Sequence, residues 1–141
     1  MTAFVGANRY KAPYSGEDGN RTHVHGYFKL PAAAAAADTV DLALIPAGMK
    51  VHEVQSAWSA MGGSGTTYSL GWKYEDGSAG GSATAFHAAT ASVSAGTVNN
   101  PILPIGPFTK PAILYATLGT GIAASASEMS SSVVGEFVGT M

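Results

Sequence analysis

The stretch DTVDLALIPAGMKVHEVQSAW, residues 38–58, decides how the rest of the chain is read. Val40, Leu42 and Leu44 alternate with Asp41 and Ala43, the period of a strand with one buried face. Pro46-Ala47-Gly48 then turns the chain, with proline fixing φ and glycine free to take a conformation that side chains disfavour. On the return leg Val54, Ser56 and Trp58 share one face, while Val51, Glu53 and Gln55 share the other. The spacing predicts a hairpin at the centre of a β-sheet, with the remaining strands on either side.

Toward the N-terminus, RTHVHGYFKL (21–30) alternates in the same way. Thr22, Val24, Gly26 and Phe28 fall on one side, and His23, His25, Tyr27 and Lys29 on the other. Pro31 ends it, and the alanine run at 32–37 is shorter than the ~12–15 residues an isolated helix needs, so a connector with at most one helical turn is expected. Residues 1–20 mix Phe4, Arg9, Tyr10, Lys11 and Tyr14 with no sustained period, which predicts an extended N-terminal arm preceding a single β domain over 21–141.

Toward the C-terminus, residues 66–74 place Tyr68, Leu70, Trp72 and Tyr74 on one face of a further strand, and Glu75-Asp76-Gly77 is a strong turn signal. Residues 78–96 have little period, with a short helix expected at 85–89. Residues 98–111 hold Pro101, Pro104, Pro107 and Pro111 and so read as an extended loop or a sheet edge, because proline cannot donate to a ladder. Residues 112–118 and 132–140 complete the set, with 119–131 a loop or weak strand. Six or seven short strands with almost no helix predict an all-β fold, an antiparallel sandwich or barrel of jelly-roll-like character.

The 141 residues fit one domain with a real core. The absence of cysteine excludes a disulfide framework and a thiolate metal site. Charged residues are 11 %, against roughly 25 % in ordinary soluble domains, and 18 glycines take part of their place. So mild an exterior suits burial against identical or partner subunits, because a freely diffusing protein gains solubility from surface charge. A net charge of −2 gives no electrostatic case for nucleic acid. No apolar run reaches the ~20 residues that span a bilayer, and residues 1–19 have no apolar signal core, so cytoplasmic synthesis without membrane insertion is expected.

Little in the chain points to chemistry. His23-Val24-His25 aligns two imidazoles on a strand face, but the position where a cupin-like site would place its Glu holds Lys29 and Leu30, and nothing brings in His52 or His87. The pair reads as surface histidines, with no metal and no cofactor expected. Asp38 marks a strand entry, Asp41 a solvent face and Glu75-Asp76 a turn, which leaves no carboxylate pair for glycoside hydrolysis. No serine occupies a nucleophile elbow, and Gly62-Gly63-Ser64-Gly65 lacks the lysine of a phosphate loop. The chain is not expected to be an enzyme. Tyr68, Trp72 and Tyr74 keep open an alternative role as a carbohydrate-binding or host-adhesion module.

The ordered set Ala7-Asn8-Arg9-Tyr10-Lys11-Ala12-Pro13, then Leu30-Pro31-Ala32, then Asp38-Thr39-Val40-Asp41-Leu42-Ala43-Leu44-Ile45-Pro46-Ala47-Gly48, then a glycine-rich strand sequence, resembles the head decoration or capsid cement proteins of tailed bacteriophages. The likeness runs from about Ala7 to Trp72. It implies a β-rich virion protein seated on the outside of the head as a homodimer or homotrimer, partnered by the major capsid protein and catalysing no reaction. On residue type, the expected capsid contacts are Phe4, Arg9, Tyr10, Lys11 and Tyr14 in the arm, and Pro104, Phe108 and Lys110 in the loop at 101–110.

Overall fold

The computed structural model describes residues 3–8, 21–30, 37–61, 65–92, 94–119 and 127–137. Among them are nine strands and no helix: β1 (Ala3–Asn8), β2 (Arg21–Lys29), β3 (Thr39–Ile45), β4 (Met49–Trp58), β5 (Thr67–Tyr74), β6 (Ser82–Ala91), β7 (Gly96–Ile105), β8 (Ala112–Leu118) and β9 (Glu128–Phe137). One sheet runs β1-β3-β8-β5-β6 and the other β2-β9-β4-β7, and their inner faces enclose a single core as a β-sandwich. All pairings are antiparallel except the parallel pair β1 and β3. Residues 3–8, read from sequence as part of the arm, are thus an edge strand, and Phe4 packs against Phe28 at 5.8 Å between ring centroids. The remainder of the expected arm and the alanine run at 32–36 lie outside the described residues.

The hairpin expected at residues 38–58 does not form. β3 pairs with β1 and β8, whereas β4 pairs with β7 and β9, so the two strands enter opposite sheets. Each is flanked on both sides and has no free edge for the other. Pro46-Ala47-Gly48 is the crossing between sheets, with Gly48 at φ 88. Beside a long internal bond from the Met49 N–H to the Pro46 carbonyl at 3.4 Å, it is held from elsewhere: the Gly48 N–H donates to the Phe108 carbonyl at 2.7 Å, and the Phe108 N–H donates to the Met49 carbonyl at 3.1 Å.

Two bulges shift the expected alternation. In β3 the register passes from Asp41 opposite Tyr115 to Ala43 opposite Leu114, leaving Leu42 as an extra residue. Beyond it the parity flips, so Ile45 is fully buried and Leu44 only half-buried. In β4 the extra residue is His52, and Val51 joins Met49, Val54, Ser56 and Trp58 on the buried face. Asp41, read as a solvent-face residue, is largely covered and ion-paired with Lys73 at 2.8 Å.

Two glycines permit close approach. A Cβ on Gly26 of β2 would lie 2.6 Å from the Leu42 side chain and backbone, so the β3 bulge rests directly against the other sheet. A Cβ on Gly71 of β5 would collide with the Ser82 carbonyl, where β6 folds over the outer face. The helix expected at 85–89 is instead the middle of β6, a strand that carries Ala83, Thr84, Ala85 and Phe86 against Gly71 alone between the pairs Ser82–Trp72 and His87–Leu70. That irregular register is why no period shows in the sequence.

The core holds one polar cluster that links the sheets. Tyr68 of β5 is fully buried, with its hydroxyl 2.6 Å from Ser131 Oγ of β9 and 3.3 Å from Ser56 Oγ of β4, so its burial carries no lost hydrogen bond. His87 packs against Tyr68 and Trp58 at 5.3 and 6.3 Å. Its Nδ1–H donates to the Ala88 carbonyl at 3.0 Å, and its buried Nε2 has no partner among the described residues. Burial holds this imidazole below its ordinary 6.5, opposed in part by the Ala88 hydrogen bond.

Gly26→Ala is expected to lower unfolding free energy by about 2 kcal/mol or more, through overpacking against Leu42, as measured by urea denaturation. For His87 the sign is that of a depressed base. The unfolded chain takes the proton first, so stability is whole above pH 6.5 and falls as pH drops below it toward the folded-state value. Unfolding free energy at pH 7.5 and pH 5 should differ less in His87→Phe than in the parent; His25, which burial and then His23 also depress, contributes a slope of the same sign in both proteins.

Candidate functional site

β7 is the outermost strand of its sheet, which explains the prolines that the sequence places in it. Its register against β4 runs from Pro101 opposite Glu53 to Ile105 opposite Val51, so Ile102, Leu103 and Pro104 stand opposite His52 alone. The surplus bows outward. Ile102 and Ile105 pack against the core and act as its feet, while Leu103 is 89 % exposed between exposed Pro101 and Pro104. Pro-Ile-Leu-Pro-Ile is therefore a contiguous apolar ridge on a sheet edge, the kind of exposed patch that marks a contact surface. Proline also denies an incoming strand its donors, so the ridge is built for side-chain contact and not for strand addition.

The segment after β7 is fixed. Phe108 is buried, with its ring edge-on to Trp72 at 4.9 Å and its backbone holding the β3–β4 crossing. Lys110 bonds Asp76 at 3.1 Å and Ser78 at 2.8 Å in the β5–β6 turn. Hydrogen bonds from Ser78, and then from Lys110, hold the Asp76 carboxyl at about 2.

Beside the ridge lies the outer face of the four-stranded sheet. Register aligns Tyr27, Ser130, Ala57 and Thr97 in one row across β2, β9, β4 and β7, and His25, Ser132, Gln55 and Asn99 in the next. In the first row Ala57 and Ser130 on the inner strands make a low floor with Tyr27 standing at the β2 edge, and in the second Gln55 lies between Ser132 and Asn99. The result is a trough of two open hollows of about 540 and 490 Å³ that share Ala57, Thr97 and Ser130. The Tyr27 hydroxyl donates to Glu128 Oε1 at 2.7 Å, and that bond pushes the phenol's titration upward. His25 Nδ1 lies 2.9 Å from Ser132 Oγ.

Of the residues expected to touch a partner, Pro104 is exposed on the ridge and Lys110 is half-exposed but tied to the turn. Phe108 is 2 % exposed, so its side chain belongs to the core; an aromatic among prolines here serves packing. Phe4 sits on β1, beside β2, across the sandwich from β7, and is not brought together with the others. Arg9, Tyr10, Lys11 and Tyr14 lie outside the described residues. The ridge's own apex, Leu103, was not singled out by residue type, although a leucine between two edge prolines carries the signal. The aromatic platform does not form: Tyr68 is fully buried, and Trp72 and Tyr74 pack edge-on against each other beside the core. Among the described residues no three His, Asp or Glu side chains converge as a metal site.

No family model matches the chain, and no curated protein sequence does. Two solved structures share its fold. A chain in the capsid of Ralstonia phage GP4 aligns with a TM-score of 0.76 at 13 % identity, covering 99 % of this chain and 100 % of that one. A chain of the cyanophage Pam1 capsid asymmetric unit aligns with a TM-score of 0.63 at 18 % identity, covering 93 % and 94 %. The likeness spans nearly the whole of each chain, so it is a likeness of the entire sandwich.

Proposed function

We propose that this chain is a structural protein of a phage virion that binds the outside of the head as a cement or decoration protein, bridging neighbouring major capsid subunits and carrying out no reaction. The supporting observation is the end-to-end fold likeness to a chain in a phage capsid, joined to an exposed apolar ridge on a rigid base. In this reading the product is made in the host cytoplasm and acts by occupancy. Binding to the assembled shell but not to loose subunits stabilises the shell by linkage, and self-association as a dimer or trimer multiplies weak contacts through effective concentration.

The ridge is the principal contact in this proposal, with Leu103 as its anchor and Pro101 and Pro104 beside it. Burying a leucine side chain is worth roughly 1.5–3 kcal/mol, enough to matter when repeated over many copies. Arg9, Tyr10, Lys11 and Tyr14 are proposed as a second contact. They are to be tested by substitution, because deleting residues 2–14 would remove β1 from its sheet. The adhesion alternative has no flat platform of Tyr68, Trp72 and Tyr74 to use, since Tyr68 is fully buried and Trp72 and Tyr74, partly buried, stand edge-on to each other.

Leu103→Asp should leave unfolding free energy within about 0.5 kcal/mol of the parent, because the side chain is exposed, while reducing co-sedimentation with heads lacking the protein by at least roughly tenfold. Phe108→Ala should do the reverse in solution, costing about 3–5 kcal/mol of stability. Unchanged head binding by a folded Leu103→Asp protein would remove the ridge from the interface.

A further inference from the structure

The trough on the four-stranded sheet is not used by the ridge contact, and its larger hollow has a chemistry of its own. Tyr27, 45 % exposed, forms one wall, and its hydroxyl donates to the Glu128 carboxylate at the rim. Ala57 leaves the floor low, and Thr97 and Ser130 lie in the same row beside it. We propose that this hollow is a binding site for a neutral saccharide, one ring stacked on Tyr27 and its hydroxyls bonded to Glu128, Thr97 and Ser130.

Several features select that ligand class. No Lys or Arg lines the hollow among the described residues, so an anionic ligand would meet only the carboxylate. β4 and β9 are paired on both sides and offer no free backbone ladder to an extended peptide, so recognition falls to side-chain hydroxyls, a carboxylate and a ring face. A sugar ring supplies hydroxyl donors for Glu128 and an apolar C–H face for Tyr27. The volume of about 540 Å³ lies within the usual range of small-ligand sites, and its continuity with the neighbouring 490 Å³ hollow suits a short oligosaccharide lying along the strands. Thr97 stands near the start of β7 and the ridge near its end, roughly 20 Å apart at strand rise, so a head-bound copy keeps the hollow open.

Amide chemical shifts of the full chain, titrated with neutral oligosaccharides of glucose, mannose, rhamnose and N-acetylglucosamine beside a heparin fragment and a lysine-rich peptide, test this. At least one neutral sugar should move Ala57, Gly96, Thr97 and Ser130 with a Kd near or below about 1 mM. Tyr27→Ala should weaken it about tenfold. Ala57→Trp, which fills the floor from an exposed position, should abolish binding while melting temperature and head binding stay at parental values. The proposal fails if no neutral sugar shifts these amides at about 10 mM, if binding survives Ala57→Trp, or if only the heparin fragment or the peptide binds.

Discussion

The sandwich depends on how the chain passes from β3 to β4. Two strands separated by three residues must leave in different sheets, so the crossing forms no hairpin ladder and its one internal bond, Met49 N–H to the Pro46 carbonyl at 3.4 Å, leaves other groups to be paired from outside. The segment following β7 supplies the missing partners, giving Gly48 an acceptor and Met49 a donor through the single residue Phe108. Its ring seats in the core against Trp72, so the clamp is held by burial as well as by hydrogen bonds. One residue therefore closes the crossing and fixes the end of β7. The edge ridge can bow outward without loosening the sheet because the chain on its far side is anchored within three residues of Ile105.

The same crossing marks the limit of what the sequence reveals. Alternation tells which residues face inward but not which sheet they face from, since a hairpin strand and a crossing strand bury the same face. β2, β5 and β8 were legible because their pattern is unbroken, and Thr22, Val24, Tyr68 and Leu70 point inward as their spacing predicts. β3 was legible up to Leu42 and β4 from Glu53 onward, the inserted Leu42 and His52 reversing the parity on the other side of each bulge. β6 was illegible, because Ser, Ala and Thr carry little polarity contrast and its register wanders around Gly71. For the surface beside β7, the prolines marked the edge, while residue type picked out Pro104, Phe108 and Lys110 and passed over Leu103. Phe108 is the larger hydrophobe and is inside, whereas Leu103 is outside because surplus register leaves it no place on the inner face.

Low charge has a structural consequence as well as a functional one. The trough floor is Ala, Ser and Gln across two central strands, and on the other sheet Asp41, largely covered, is ion-paired with Lys73, whose ammonium lies 4.8 Å from the Tyr115 ring. Surfaces of this kind present little long-range field to a partner. Recognition across them has to come from shape and from desolvation of apolar groups, so it is short-ranged and weakly sensitive to salt. An apolar ridge on a clamped base meets that requirement.

A single leucine anchor is nonetheless weak. At roughly 1.5–3 kcal/mol it cannot offset the ~4–15 kcal/mol lost when one free molecule is immobilised on another. In the proposed role that shortfall is met by repetition: copies linked to one another, or one copy touching two subunits, carry the orientational cost once and add anchors at high effective concentration. The weakness then becomes a source of selectivity. A loose subunit engages one anchor and is released, whereas a closed shell engages several in fixed register and retains the protein. The register of that shell, together with the rigidity of the ridge set by Phe108, would decide which assemblies are bound.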